Sequence, residues 1–164
     1  MIGLRRQWWP TRPNQGETLD AIIHSVTVPD DLITRPWMQP IYDEPEFVVR
    51  NLWRLYGGWW DKNPANLKPA PEAALGAEIA ALVGGADALA ARARELADGG
   101  DLRLACHLVE LAVGADPESI TAHGTRAEIY QARRDEEFSL MSKGIYASAA
   151  RESAELVEDA DSAT

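Results

Sequence analysis

Residues 86–119 read ADALAARARELADGGDLRLACHLVELAVGADPES and have a clear helical pattern. Its apolar residues recur every three or four positions on both sides of Gly99-Gly100, which is the spacing of amphipathic helices. The paired glycines end the first helix, and Asp101 is placed to cap the second. Asp116-Pro117 ends the second helix, because proline does not continue a helix. The stretch therefore predicts two consecutive helices joined by a short turn.

These two helices have the period and the small-residue positions of a tetratricopeptide-like repeat. A shift by one repeat length places Ala127 and Tyr130 where Ala93 and Leu96 stand, as the start of a second repeat requires. At most one and a half repeats are present, whereas about three are usually needed for stability. We therefore expect the helices to pack on the N-terminal half of the chain or on another chain. The predicted helix-packing residues are Ala93, Gly100, Ala105, Ala112, Pro117, Ala127 and Tyr130.

Helical patterns continue on both sides of this unit. A helix that ends at Gly84-Gly85 is expected before it, and a helix from about Ile120 to Arg134 is expected after it. A fifth helix is expected over residues 136–150, and residues 151–164, which are acidic and small, are expected to fray. The sequence thus predicts an all-α helical array with tetratricopeptide-like helix pairs over residues 71–150, followed by an acidic tail.

Residues 1–70 form a segment of different composition. All six tryptophans lie at or before Trp60, and nine of the ten prolines lie at or before Pro71. Short helices are expected over residues 17–26 and from Pro45 to Gly57, with an irregular loop between them and an extended connector after them. Residues 1–70 are therefore interpreted as an irregular aromatic and proline-rich arm with a linker.

Charge is divided just as unevenly. Residues 1–70 hold eight basic and eight acidic side chains, whereas residues 71–164 hold eight basic and eighteen acidic ones, so the second part has the whole net charge of −10. This balance argues against a nucleic-acid partner, whose phosphates need a basic surface. No apolar run reaches the ~20 residues of a membrane span. The N-terminus lacks the apolar stretch of a secretory signal, so we expect a cytoplasmic protein.

Few residues in this sequence are candidates for catalysis or metal binding. The histidines His24, His107 and His123 share no metal-ligand spacing, and a single cysteine, Cys106, excludes zinc sites built on cysteine clusters. Cys106 and His107 are adjacent in a helix and point in different directions, which disfavours a Cys–His nucleophile. The aromatic cluster around residues 53–60 is either a core or the wall of an apolar cleft or subunit interface. We expect no catalytic residue and no metal site on this chain.

Residues 51–71 read NLWRLYGGWWDKNPANLKPAP and closely resemble the segment Y-x-G-W-[YFW]-D-x-N-P-A-x-L-x-P of alkyl sulfatases with the metallo-β-lactamase fold. The resemblance extends over about residues 10–146. Lys62 stands where glycine is common in that family, and Trp60 stands where tyrosine is common. The residues that match the family's linking motif are Tyr56, Gly58, Trp59, Asp61, Asn63, Pro64, Ala65 and Leu67.

The resemblance implies an enzyme of three parts: a catalytic domain with a two-zinc site, a helical dimerisation domain and a C-terminal domain like sterol carrier proteins. This sequence resembles only the dimerisation domain, since the family's H-x-H-x-D-H zinc motif has no counterpart in it. Zinc is therefore expected only in the catalytic domain, where it would assist sulfate-ester hydrolysis. The resemblance also implies that Tyr42 and Tyr56 line the substrate cleft.

Three hypotheses about function follow. The leading one is a homodimeric dimerisation module of an alkyl-sulfatase-type hydrolase, inactive alone, with a metallo-β-lactamase-fold catalytic domain as partner in cis or in trans. The alternative is a stand-alone tetratricopeptide-like adaptor whose groove binds a peptide or a separate catalytic subunit. A self-contained enzyme is the third, and it rests only on Cys106, His107 and scattered carboxylates.

Overall fold

The structure is a computed structural model that describes residues 16–163. Over this range the chain forms helices joined by turns and loops, and it contains no strand. The chain divides into a first compact unit that ends at Pro69 and a second that begins at Ala70. The predicted all-α fold is confirmed over the described range.

The first unit is built around two helices that pack together, α1 and α3. Their contact buries Ile22 and Ile23 against Val49 and Trp53, with Leu19 at its edge. The helical segments of this unit are α1 (Leu19–Ser25), α2 (Asp30–Ile33), α3 (Pro45–Tyr56) and a 3₁₀ helix (Pro64–Leu67).

Two segments of the first unit that were predicted to be irregular or extended contain short helices. In the loop between α1 and α3, α2 follows Pro29, and Asp30 and Asp31 place negative charge in its first turn, which favours a helix N-terminus. In the connector, the 3₁₀ helix starts with Pro64 and is capped by the Asn63 side chain. The predicted extended, turn-rich connector thus contains one turn of 3₁₀ helix.

The second unit is an array of five helices. In this unit α4 and α5 both pack on α6, α7 packs on α5 and α6, and α8 packs along α7. Its helices are α4 (Glu72–Val83), α5 (Ala86–Asp98), α6 (Leu102–Ala115), α7 (Ile120–Glu136) and α8 (Leu140–Ser162).

The turns between α4, α5 and α6 form at the predicted residues. Gly84 ends α4 in the left-handed conformation, with φ of 100°, and Asp101 caps α6 through a hydrogen bond from the Leu104 N–H. The axes of α4 and α5 are bent by 85° at the intervening glycines. None of the described helices alone has the length and composition of a membrane span. The bent pair α4 and α5 has them only when the two helices are counted together.

Small side chains form much of the second unit's core, which lets its helices approach closely. One cluster joins α5, α6, α7 and α8, and another joins α4, α5, α6 and α7. The alanines that are completely buried in these clusters are Ala90, Ala93, Ala105, Ala112 and Ala122.

The last helix is longer than its sequence predicts. Instead of ending at Ala150, α8 continues to Ser162, so the prediction of a frayed acidic tail is wrong for these residues. The reason is a face of small side chains, since Ala150 and Ser153 are buried in the second unit. The acidic residues of this segment occupy the solvent-exposed positions, which suit charged side chains.

Candidate functional site

The motif that resembles the alkyl sulfatases forms a turn held by hydrogen bonds. Asp61 Oδ1 accepts a hydrogen bond from the Asn63 N–H at 2.8 Å, and Oδ2 accepts one from the Asn66 amide. The Asn66 bond, followed by the Asn63 bond, lowers the pKa of Asp61. The Asn63 side chain accepts a hydrogen bond from the Ala65 N–H at 3.1 Å. The polar motif residues thus fix the backbone of the turn.

This turn is joined to the core of the first unit. The indole N–H of the buried Trp53 donates to the Trp60 carbonyl at 3.2 Å, and the Trp60 indole donates to the Asn63 carbonyl at 3.3 Å. The Leu19 N–H, at the start of α1, donates to the Asp61 carbonyl at 3.3 Å. The motif therefore connects α1 to the end of α3.

The backbone conformation of Lys62 explains why glycine is common at this position of the family's motif. Its φ is 71°, in the left-handed region where a side chain costs about 1 kcal/mol. The lysine ammonium lies 5.6 Å from the centroid of the Trp53 ring, a cation–π contact that offsets part of this cost. Gly58, earlier in the motif, has φ of 88° and meets no such cost.

The aromatic cluster is divided between core and surface. Trp53 is in the core, whereas Tyr56 and Trp59 are exposed, as are Trp37 and Tyr42. The predicted cleft residues Tyr42 and Tyr56 thus lie on the surface of the first unit, and their role at a cleft remains a prediction. Of the other motif residues, Gly58, Pro64, Ala65 and Leu67 are also exposed.

The predicted helix-packing residues of the first repeat occupy the contact between α5 and α6. Ala93, Ala105 and Ala112 are completely buried there. Gly100 lies in the turn between these helices with φ of 87° and is exposed. Pro117 follows α6 and is also exposed, and its carbonyl accepts a hydrogen bond from His123.

The second repeat is not a copy of the first. Ala127 is only partly buried, although a shift by one repeat length aligns it with the fully buried Ala93. The buried residues of α7 are instead Ala122, His123, Thr125, Ile129 and Tyr130, because this helix packs on α8 as well as on α5 and α6. Tyr130 is stacked on Tyr146 of α8, with 5.7 Å between the ring centroids.

A buried polar network joins α7 and α8, and sequence analysis had assigned it no role. His123 Nε2 lies 3.0 Å from the Pro117 carbonyl, and His123 Nδ1 lies 3.0 Å from Ser153 Oγ. Since a carbonyl only accepts, Nε2 has the proton, and in the neutral imidazole the Ser153 hydroxyl donates to Nδ1. Arg126 donates to the same Ser153 Oγ at 2.9 Å. Each of these polar atoms therefore has a consistent donor or acceptor role.

Arg126 extends the network to a third helix. Its Nε donates to Glu110 of α6 at 2.8 Å, and its terminal nitrogen donates to the Ala149 carbonyl of α8 at 2.8 Å. The guanidinium also lies 5.2 Å from the centroid of the Tyr130 ring. The positions of α6, α7 and α8 are thus specified by polar contacts in addition to apolar packing.

Replacing Ser153 by alanine is expected to lower the free energy of unfolding by about 1–2 kcal/mol, because the buried His123 and the partly buried Arg126 lose a partner. Urea unfolding followed by far-ultraviolet circular dichroism measures this difference. Ser148→Ala is the matched control, since the Ser148 hydroxyl bonds only Glu152 of its own helix on an exposed side. Equal midpoints for both variants would contradict a stabilising role for the network.

Cys106 is expected to be unreactive in the folded chain. Burial, more than the neighbouring charges, raises the pKa of the Cys106 thiol from 9.0 to about 11. Because the thiolate is the nucleophile, alkylation by iodoacetamide at pH 8 should be about a hundredfold slower in the native chain than in urea. The native rate should rise as the pH approaches 11. Equal native and unfolded rates would revive the hypothesis of a reactive cysteine.

Metal-ligating side chains do not converge within residues 16–163, where no three His, Cys, Asp or Glu residues are arranged to hold an ion.

Two surface grooves lie on the second unit. The larger, of about 900 Å³, includes His107, Arg126 and Leu156 in its lining. The smaller, of about 480 Å³, lies between α5 and α7 and contains the Arg94–Glu128 ion pair.

The described residues form an all-helical domain that contains a motif turn held by hydrogen bonds and several exposed aromatic side chains. The chain belongs to the family described as alkyl sulfatase dimerisation, which matches residues 18–155. The resemblance drawn from residues 51–71 is therefore confirmed, and the chain is a dimerisation domain of the alkylsulfatase type.

Curated relatives are alkylsulfatases that share this domain. The (R)-specific secondary-alkylsulfatase of Pseudomonas sp. is 34% identical over 116 residues, which cover 70% of this chain and 18% of the relative. The alkyl/aryl-sulfatase BDS1 of Saccharomyces cerevisiae is 34% identical over 106 residues, 65% of this chain and 16% of the relative. A linear primary-alkylsulfatase of Pseudomonas sp. is 31% identical over 115 residues, 70% of this chain and 17% of the relative. The chain thus spans less than a fifth of the length of each of these three relatives.

A solved structure shows the same fold. The stereoselective inverting sec-alkylsulfatase Pisa1 from Pseudomonas sp. superposes with a TM-score of 0.78 at 30% sequence identity. The similarity covers 85% of this chain and 22% of that protein.

Proposed function

We propose that this chain forms a homodimer and serves as the subunit contact of an alkyl-sulfatase-type hydrolase. The observation that supports this proposal most strongly is the family match over residues 18–155, since that family is described as the dimerisation part of alkyl sulfatases. The exposed aromatic surface of the first unit supplies the apolar area that a subunit contact needs.

The balance of buried and exposed residues in the first unit supports the same proposal. Among the described residues of this unit, four apolar side chains form its buried cluster, whereas Trp37, Leu55, Tyr56 and Trp59 are largely exposed. Each buried Å² of apolar surface stabilises by roughly 25 cal/mol, so covering these side chains on a second copy would stabilise both copies.

The reaction of the intact hydrolase would be the hydrolysis of alkyl sulfate esters in a separate catalytic domain, in cis or in trans. Zinc, when bound in such a domain, activates water and stabilises developing negative charge. Residues 16–163 do not fit a two-zinc site, because their metal-ligating side chains do not converge. We therefore propose that the chain alone is inactive and derive no step of hydrolysis on it.

Co-expression of two copies with different affinity tags tests the homodimer. Purification through one tag is expected to recover the other tag in comparable amount, and recovery of one tag alone would contradict the proposal. Sulfate release from a primary and a secondary alkyl sulfate, with and without added zinc, tests the proposed inactivity of the chain alone. No turnover is expected, and zinc-dependent turnover would contradict the proposed inactivity.

The larger groove on the second unit favours the adaptor as a second candidate function. Its lining combines apolar Leu75 and Leu156 with polar His107, which would suit an extended peptide. An adaptor would be a monomer when free and would bind a catalytic subunit with a one-to-one stoichiometry. Isothermal titration against the catalytic domain of a related alkylsulfatase distinguishes this outcome from a stable homodimer.

A further inference from the structure

The larger groove of the second unit receives one leucine and one glutamate from each of three helices. The leucines are Leu75 of α4, Leu111 of α6 and Leu156 of α8. The glutamates of the same helices are Glu72, Glu110 and Glu152. In α4 and in α8 the leucine follows the glutamate by one helical turn, which places both side chains on one face of the helix. The groove therefore offers apolar surface and carboxylates to the same ligand.

The apolar part of the lining is accessible to a ligand. Leu75 is 53% exposed and Leu156 is 46% exposed, whereas Leu111 is partly buried and packs against the core. The groove volume of about 900 Å³ has room for several side chains. Each Å² of this leucine surface that a ligand covers stabilises the complex by roughly 25 cal/mol, so a ligand with apolar side chains is favoured.

The charged side chains of the lining leave the groove negative. Arg126, whose side chain is only 14% exposed, is bonded to Glu110 at 2.8 Å, so these two charges offset each other. Glu152 is 65% exposed and lies 4.0 Å from the same guanidinium, and Glu72 is also exposed. Three glutamates and one arginine give the lining a net charge of −2 when its histidines are neutral. A ligand with positive charge is therefore favoured over a neutral or acidic one.

The rest of the second unit adds to this negative potential. Residues 71–164 hold eight basic and eighteen acidic side chains. The exposed residues Glu155, Glu158 and Asp159 lie on α8 on both sides of the position of Leu156. The second unit of another copy would bring the same excess of negative charge, so it suits this groove less well than a basic segment does.

The buried polar groups that line the groove are satisfied without a ligand. His123 and Ser153 are hydrogen-bonded to each other at 3.0 Å, and Arg126 donates to the same Ser153 Oγ at 2.9 Å. These bonds join α7 to α8 in the free chain. The groove is thus formed before a ligand binds, and preorganisation of this kind favours affinity.

We infer that this groove binds a short segment of another protein in which leucine-like side chains are flanked by lysine or arginine. The inference rests on the adaptor named above as a second candidate function and specifies the chemistry of its peptide, and it does not depend on the homodimer. The apolar side chains of the segment contact Leu75 and Leu156. Its cations lie beside Glu72 and Glu152.

Three short synthetic peptides of equal length, each labelled with fluorescein, test this chemistry on the full chain. The first combines leucine with lysine, the second has glutamine in place of each lysine, and the third has serine in place of each leucine. By fluorescence anisotropy, the leucine–lysine peptide is expected to bind about tenfold more tightly than either of the others, because only this peptide matches both parts of the lining. Its affinity should fall as salt is added. No binding of the leucine–lysine peptide, or equal affinity for all three, would contradict the inference.

Glu152→Gln and Leu156→Ser test whether the peptide lies in the groove. Glu152→Gln is expected to weaken binding of the leucine–lysine peptide about threefold, and Leu156→Ser about tenfold. The matched controls on the same helix are Glu155→Gln and Leu140→Ser, since Leu140 is 59% exposed and neither control residue lines the groove. Each control is expected to change the affinity by less than about twofold. Equal weakening by a groove variant and its control, with all variants folded by circular dichroism, would contradict a site in the groove.

Light scattering with and without the leucine–lysine peptide separates this inference from the proposed homodimer. A saturating amount of peptide is expected to leave the association state of the chain unchanged. Dissociation of a dimer by the peptide would show that a second copy covers the groove, so the homodimer would stand and this inference would be wrong. A monomer that binds the peptide would contradict the homodimer and support the groove as a site for a basic segment.

Discussion

Trp53→Ala is expected to abolish the fold of the first unit. The side chain of Trp53 is only 2% exposed and is the largest member of a cluster of four buried residues. Removing a buried tryptophan side chain costs about 3–5 kcal/mol, which a core of this size does not withstand. The substitution also removes the hydrogen bond to the Trp60 carbonyl that connects the motif turn to α3.

Two circular dichroism signals measure this loss. The near-ultraviolet signal of the aromatic side chains is expected to weaken strongly in Trp53→Ala, while the far-ultraviolet helical signal of the second unit persists. Trp59→Ala is the control, because Trp59 is 76% exposed and is expected to change stability by less than about 0.5 kcal/mol. Similar spectra for the two variants would show that Trp53 does not organise this unit.

Gly76→Ala is expected to destabilise the second unit by about 2–3 kcal/mol. An added Cβ at Gly76 of α4 would lie 2.7 Å from the Leu111 carbonyl oxygen and 3.1 Å from the Ala115 nitrogen of α6. Both atoms belong to the backbone, so a helix must move to relieve the clash. Thermal unfolding of the variant should show a lower midpoint than that of the unmodified chain.

Gly144→Ala is the matched control for this effect. Gly144 also lies inside a helix, but an added Cβ there meets nothing within 4 Å. Because alanine is the better helix former, this variant is expected to gain about 0.5–1 kcal/mol. Opposite signs for the two glycine variants therefore support the close approach of α4 and α6, and a stabilised Gly76→Ala would contradict it.

Local chemistry explains why most helix ends could be predicted from the sequence. The αL conformation of Gly84 and the cap of Asp101 depend on residues within one turn of the helix end. The short 3₁₀ helix after Asn63 has the same kind of signal, a capping side chain followed by proline. Its pattern was interpreted as extended because proline restricts the residue that precedes it.

Long-range contacts explain what could not be predicted. The composition of residues 151–164 indicates a frayed end, but Ser153 is completely buried and is bonded to His123 of the preceding helix. Sequence periodicity counts apolar residues and so does not identify a serine on a buried face. The repeat register predicts Ala127 as a helix-packing residue, and in the structure it is partly buried, whereas Ala93, with which the register aligns it, is completely buried.

The candidate contact surface could be predicted only as a set of aromatic residues. Composition alone does not separate Trp53, which forms the core, from Trp59 and Leu55, which face outward. That division depends on which face of α3 meets α1.

The solution mass of the isolated chain, measured by light scattering over a range of concentrations, tests whether the chain associates with itself. We expect a particle of twice the 18.0 kDa chain mass that persists on dilution. A particle of 18.0 kDa at every concentration would contradict self-association and favour the adaptor.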